Sequence, residues 1–225
     1  MGGREKVVTN RTISRVIQTL RKASTGWDAP VVTEMADFSR DAYQVLVACL
    51  LSLRTKDETT GPAARRLFAL ANTPEQMVTL TLAQVKKAIY PVGFYKTKAQ
   101  TVLDISQILI DKYESRVPDE IDELLVFKGV GRKTANLVVT LGFQKPGICV
   151  DTHVHRISNR WGYVETKNPE ETEMALRAIL PKRFWIGYND LLVAFGQTLC
   201  HPTSPKCSLC PIERYCEKID VKRSR

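Results

Sequence analysis

The chain has 225 residues, 44% of them hydrophobic, which suffices for one large domain or two small ones with a proper core. Lysine and arginine outnumber aspartate and glutamate by 33 to 24, giving a formal net charge of +9 and a pI near 9.3. That balance suits a polyanionic partner, although a solvated basic surface produces the same numbers. No apolar run approaches the roughly 18 residues of a membrane span. Met1 to Lys6 lack the apolar stretch of a signal peptide, and Lys6 stands where a myristoylation motif wants Ser or Thr. The expectation is a soluble, intracellular protein with no membrane partner, in which six cysteines are read as metal ligands before disulfides.

In chain order, Ile13, Val16, Ile17 and Leu20 recur at helical spacing and predict an amphipathic helix. A loop is expected over 24–37. From Tyr43 to Leu53 the segment is apolar nearly all round, which predicts a buried helix whose residues before Arg54 need no role beyond core packing. Helices are expected at about 59–70, 74–80, 82–90 and 98–113, with Thr73-Pro74 as an N-cap followed by proline at the first helical position. Helices at 119–127 and 132–142 flank a glycine turn, and 152–161, 169–180 and 184–199 complete the set. Nothing alternates with period two, and the β-branched runs Val31-Val32-Thr33 and Ile148-Cys149-Val150 are short. The fold class is all-α. The last residues, Val221 to Arg225, read as a frayed basic tail.

The stretch Leu124 to Ala135 reads as helix, tight turn, helix. Gly129 and Gly131 lack a Cβ, so the turn can take positive φ and its backbone can approach a ligand closely. The following helix begins at about Gly131 and directs unpaired N–H groups outward, an arrangement that binds phosphate. Many Gly-x-Gly turns merely join helices. Here Lys133 follows at once, Asp151 stands in Val150-Asp151-Thr152-His153, and a cysteine group comes later. Lys133 suits either a phosphate contact or a nucleophile; Asp151 suits a helix N-cap or a catalytic carboxylate.

Cys200, Cys207, Cys210 and Cys216 follow the spacing C-x6-C-x2-C-x5-C. Structural zinc sites usually pair two short Cys-x-x-Cys knuckles, and only one is present. A [4Fe–4S] cluster accepts uneven spacing, so the pattern favours iron–sulfur over zinc. Cys49 and Cys149 lie in apolar context and read as buried free thiols. The loop between the first two candidate ligands carries His201 and Lys206, basic groups that metal ligands at both ends would hold rigidly.

Taken together, Gly129-Val130-Gly131-Arg132-Lys133-Thr134-Ala135, then Val150-Asp151-Thr152-His153, then the four cysteines resemble the endonuclease III family of DNA glycosylase/AP lyases, in order and spacing over almost the whole chain. The resemblance implies two helical lobes with a cleft between them. Residues 33–146 would form a six-helix barrel carrying a helix-hairpin-helix, and residues 1–32 with 147–225 a discontinuous lobe holding a [4Fe–4S] cluster on Cys200, Cys207, Cys210 and Cys216. It implies double-stranded DNA with damaged pyrimidines or abasic sites as partner, and a monomer. Lys133 would attack the sugar C1′ of a flipped nucleotide, form a Schiff base and allow β-elimination 3′ to the lesion, with Asp151 as proton acceptor and electrostatic partner of the cationic sugar. DNA would be held by Lys128, Gly129, Val130, Gly131 and Arg132 of the hairpin, and by Arg54, Phe94 and His153, with Asp57 and His153 as supports. Three departures stand out. Lys128 replaces a proline frequent in relatives, Arg54 replaces the usual hole-filling glutamine, and Phe94 sits where relatives place an apolar wedge that is often leucine. Two rivals remain: a monofunctional mismatch glycosylase, which typically lacks lysine at position 133, and a non-enzymatic hairpin protein, which needs neither Lys133 nor Asp151.

Overall fold

The computed structural model describes residues 8–27, 32–33 and 41–225. Among the described residues every regular element is helical: α1 (Ile13–Ala23), α2 (Ala42–Ser52), α3 (Asp57–Leu70), α4 (Pro74–Val78), α5 (Leu82–Ile89), α6 (Tyr95–Tyr113), α7 (Ile121–Leu124), α8 (Arg132–Leu137), α9 (Thr152–Arg160), α10 (Pro169–Ile179) and α11 (Trp185–Thr198), with a π-helical turn and short 3-10 turns between them. The expected all-α class is what the chain adopts. Most of the loop expected over 24–37 lies outside the described residues, as do residues 1–7. None of the described helices is long and apolar enough to cross a membrane.

The chain divides into two compact units, residues 30–147 and residues 1–29 with 148–225. In the first, α2 is the central helix. Its start is fixed by Asp41, whose carboxylate accepts the Gln44 N–H at 2.8 Å. Tyr43 and the run Val45 to Leu51 are all buried, as expected of a helix apolar on every side. It packs against α3, α6, α8 and the π-turn. The Tyr43 hydroxyl meets Ser106 of α6 at 2.6 Å, so the one polar group on that face is satisfied. α4 starts as its sequence predicts, with Thr73 accepting the Gln76 N–H and proline in the first turn.

In the second unit the four predicted core residues of α1, Ile13, Val16, Ile17 and Leu20, share one core with Trp161, Tyr188 and Phe195. Trp27 stacks on Phe195 with ring centroids 6.0 Å apart. The Tyr188 hydroxyl is paired with Ser158 at 3.1 Å.

Three local expectations are corrected. The helix expected at 119–127 shrinks to α7, because Val126 and Phe127 donate to carbonyls three residues back and the chain turns there. The helix expected at 132–142 changes pitch: α8 ends at Leu137 and Val138–Gly142 form a π-turn. Thr140 lies at that change, its hydroxyl donating to the carbonyls of Asn136 at 2.8 Å and Leu137 at 3.3 Å. The tail is not frayed. The Arg225 N–H donates to Pro205 at 2.8 Å and its carbonyl accepts the Ser208 N–H at 2.9 Å, which ties the end of the chain to the cysteine loop.

Candidate active site

The glycine turn joins α7 to α8 within the unit of residues 30–147. Gly129 takes φ +87, a left-handed conformation that residues with a Cβ rarely adopt. Gly131 does not: it is the N-cap of α8 at φ −100 and ψ 177. Its missing Cβ faces open space, so what it offers is bare backbone to an approaching group. Lys128 is exposed, Val130 is buried and anchors the turn, and Arg132 is half-buried.

Lys133 is exposed on the first turn of α8. Beneath it, Cys49 of α2 is buried as expected, and burial pushes its thiol up to about 12 while the Lys133 ammonium pulls the other way. The thiol itself stays protonated and inert.

Asp151 belongs to the other unit. It caps α9, and Oδ1 accepts the N–H groups of His153 at 2.8 Å and Val154 at 2.9 Å. The cap orients the carboxylate and leaves its second oxygen unused by the helix. His153 meets Arg156 at 3.1 Å and lies over Gly196 of α11, where a Cβ would fall 2.3 Å from its Nδ1. Arg156 continues to the Cys200 carbonyl at 2.9 Å. His153 therefore joins the capped helix to the start of the cysteine loop.

Arg54 and Phe94 come together in the first unit. Both are exposed, both have positive φ (54 and 58), and the guanidinium lies 4.8 Å from the centre of the Phe94 ring. Sequence reasoning missed the residues behind them: Lys98, Thr55 and Gly93. One signal was available, because Lys98 stands on the apolar stripe of α6 with Val102, Ile105 and Leu109.

Cys200, Cys207, Cys210 and Cys216 line one pocket together with Trp161, Phe195 and Leu199. Among the described residues no three His, Cys, Asp or Glu side chains converge as a site for a single metal ion. The surroundings suit sulfur anions nonetheless. Arg160, 5% exposed, donates from Nη1 to the Cys200 sulfur at 3.2 Å, and the Lys218 N–H reaches the Cys216 sulfur at 3.4 Å. The Nε of Arg160 is buried with no partner among the described residues. Without iron, burial raises the Cys210 thiol to about 12 and the Cys216 thiol to about 11, and the neighbouring cysteine sulfurs push the same way. Arg160 also fixes the loop, donating to the carbonyls of His201 at 2.9 Å and Pro202 at 3.1 Å. The sequence signal for it was its helical spacing, three residues past Ile157 on the face that carries Val154 and Ile157. Burial lowers the pKa of His201, helped by the nearby cations Lys206, Arg225 and Arg156.

Residues 47–182 match the HhH-GPD superfamily of base excision DNA repair proteins. The chain is 46% identical to endonuclease III of Thermotoga maritima over 79% of its length and 83% of the relative's. Among solved structures, a non-covalent endonuclease III–DNA complex superposes with a TM-score of 0.82 at 32% identity, covering 94% of this chain and 96% of the other. A trapped covalent endonuclease III–DNA intermediate gives the same TM-score of 0.82 at 32% identity, over 94% and 97% of the two chains. The match over residues 47–182 thus defines a base excision DNA repair protein of the HhH-GPD superfamily. Within it, the chain belongs to the endonuclease III family and is a bifunctional DNA glycosylase and lyase acting on DNA.

Proposed function

We propose that the lesions are oxidised pyrimidines in duplex DNA and that Lys133 and Asp151 carry the chemistry. The observation that supports this most strongly is Lys133 itself, an exposed amine on the first helical turn after the glycine hairpin. With the damaged nucleotide flipped out, the neutral amine attacks the sugar C1′ and the base departs with the glycosidic electron pair. Attack leaves two protons on the bound nitrogen; one passes to the departing base, and the ring then opens by cleavage of C1′–O4′, with O4′ taking a proton from water, to leave a protonated Schiff base. The imine then acidifies the C2′ proton, and β-elimination expels the 3′ phosphate. Water finally releases the enzyme. Asp151, already oriented by its cap, is suited to accept a proton and to stabilise positive charge on the sugar as the base leaves.

The hairpin from Lys128 to Arg132 is proposed to hold phosphate, with Gly131 giving close backbone approach. Arg54 and Phe94 are proposed to enter the duplex and fill the space left by the flipped nucleotide. His153 is better suited to supporting α9 than to direct contact, since its ring already meets Arg156 and Gly196. Cys200, Cys207, Cys210 and Cys216 would hold a [4Fe–4S] cluster, whose contribution is a rigid, charge-bearing brace for the basic loop.

One panel tests the reading: duplexes carrying thymine glycol, dihydrouracil, an abasic site or a mismatch. The proposal expects excision with strand cleavage at the first two and cleavage at the third. Excision confined to mismatches without cleavage would support the monofunctional rival. Purified protein should contain iron and sulfide with broad visible absorption; one zinc and no iron would refute the cluster assignment.

A further inference from the structure

Arg54 and Phe94 pose a physical question that the proposed DNA contact does not answer. Each is a bulky L-residue in the left-handed region, at φ 54 and 58, and each is exposed, so neither gains burial in return. Such strain persists only where the surroundings over-determine it.

The surroundings centre on Lys98 of α6, only 9% exposed. Its ammonium donates to the carbonyl of Leu51 at 2.8 Å, to the carbonyl of Leu53, and to the Thr55 hydroxyl at 3.2 Å. Three donors meet three neutral acceptors, two of them carbonyls at the C-terminal end of α2, where a cation is favoured. Thr55 extends the link by accepting the Gly93 N–H at 3.1 Å. Gly93 comes so close that a Cβ on it would lie 2.7 Å from the Arg54 carbonyl oxygen. Arg54 is therefore held between two residues bound to the ammonium, and Phe94 between Gly93 and the first turns of α6. Burial lowers the Lys98 pKa to about 8, so the charge is retained at neutral pH at a cost an apolar residue would avoid.

We propose that Lys98 is a positioning residue for excision: through Leu51, Leu53 and Thr55 it locks Arg54 and Phe94 into one stacked unit that enters the duplex as a single rigid wedge. This rests on the proposal that Arg54 and Phe94 contact DNA. The wedge matters where a base must be taken out of a stack. It matters far less where there is no stack.

The test compares single-turnover cleavage of a thymine glycol duplex with cleavage at an abasic site in single-stranded DNA, using the full-length protein. Lys98→Met keeps length and removes all three donors. It should lower the duplex-to-single-strand rate ratio about tenfold or more, as misplaced groups do. Thr55→Val, nearly isosteric, should lower the same ratio by about threefold. In an Arg54→Ala/Phe94→Ala background Lys98→Met should add less than about twofold, because residues acting as a unit are not additive. Equal losses on both substrates, or losses that multiply with those of the wedge, would overturn the proposal as ordinary damage to the fold. If Lys98→Met does not melt cooperatively, Thr55→Val decides by the same ratio, and an unchanged ratio overturns the proposal. If Arg54→Ala and Phe94→Ala themselves leave duplex excision unchanged, the DNA-contact reading fails, whatever Lys98 does.

Discussion

Two surface features of the same unit, the glycine hairpin and the Arg54–Phe94 pair, use left-handed backbone by opposite means. In the hairpin, Gly129 takes φ +87 as a glycine does, at no steric cost, and the turn is specified by its own residues. In the wedge, Arg54 and Phe94 take φ 54 and 58 against the preference of their side chains. They are held there by Lys98, Thr55 and Gly93, whose bonds cross between residues 51–55 and 93–98, two segments distant in sequence. A local device tolerates change in its neighbours. An imposed one stores strain and depends on each tie.

The difference can be broken at its tightest point. Gly93→Ala places a carbon 2.7 Å from the Arg54 carbonyl oxygen, a backbone atom that cannot swing away. Overpacking of this kind should lower unfolding free energy by about 1–3 kcal/mol in denaturant titrations. It should also uncouple Arg54 from Phe94. The hairpin is expected to respond to conformation instead. Gly129→Ala has ordinary room around its new carbon, so the cost is the left-handed backbone alone, about 1–2 kcal/mol. Gly131→Ala, with open space and φ −100, should change stability by less than about 0.5 kcal/mol yet weaken duplex binding. Loss of stability at Gly131 equal to that at Gly129 would contradict the division of labour between the two glycines.

Arg54→Gln sharpens the comparison from the wedge side. It keeps a polar side chain and removes the cation lying over Phe94. Preference between adenine and guanine opposite the lesion should shift while affinity for undamaged duplex keeps its salt slope. A slope reduced by about one with unchanged preference would make Arg54 a phosphate contact. A further effect concerns pH. The folded pKa of Lys98, about 8, lies below its ordinary 10.5, so the unfolded chain binds the proton more tightly. The resulting stability penalty is complete below about pH 8 and is relieved as pH rises toward 10.5. Wild type should thus gain stability relative to Lys98→Met across that window, and a relative loss would contradict the sign.

Much of this was legible before any coordinates. The 3.6-residue spacing of Ile13, Val16, Ile17 and Leu20 gave α1, and the unbroken apolar run from Tyr43 gave α2, because burial alone decides those positions. Asp151 was readable as an N-cap since capping is local chemistry. The cysteine spacing suggests a shared inorganic centre; the four thiols line one pocket, while among the described residues no three of them converge as a site for a single metal ion. What escaped is what tertiary contact imposes. The π-turn after Leu137 follows no local propensity signal. The left-handed Arg54 and Phe94 contradict theirs, and the roles of Lys98, Arg156 and Arg160 depend on carbonyls that only folding brings within reach. Gly131 was credited with a positive φ that Gly129 alone required.

The central claim is that the Lys133 amine forms a covalent bond to the sugar. Borohydride reduction during reaction with a thymine glycol duplex, followed by proteolysis and mass spectrometry, tests it directly. The account predicts a cross-linked species whose DNA adduct maps to Lys133 and which Lys133→Ala does not form. An adduct on another amine, or undiminished trapping by Lys133→Ala, would contradict it.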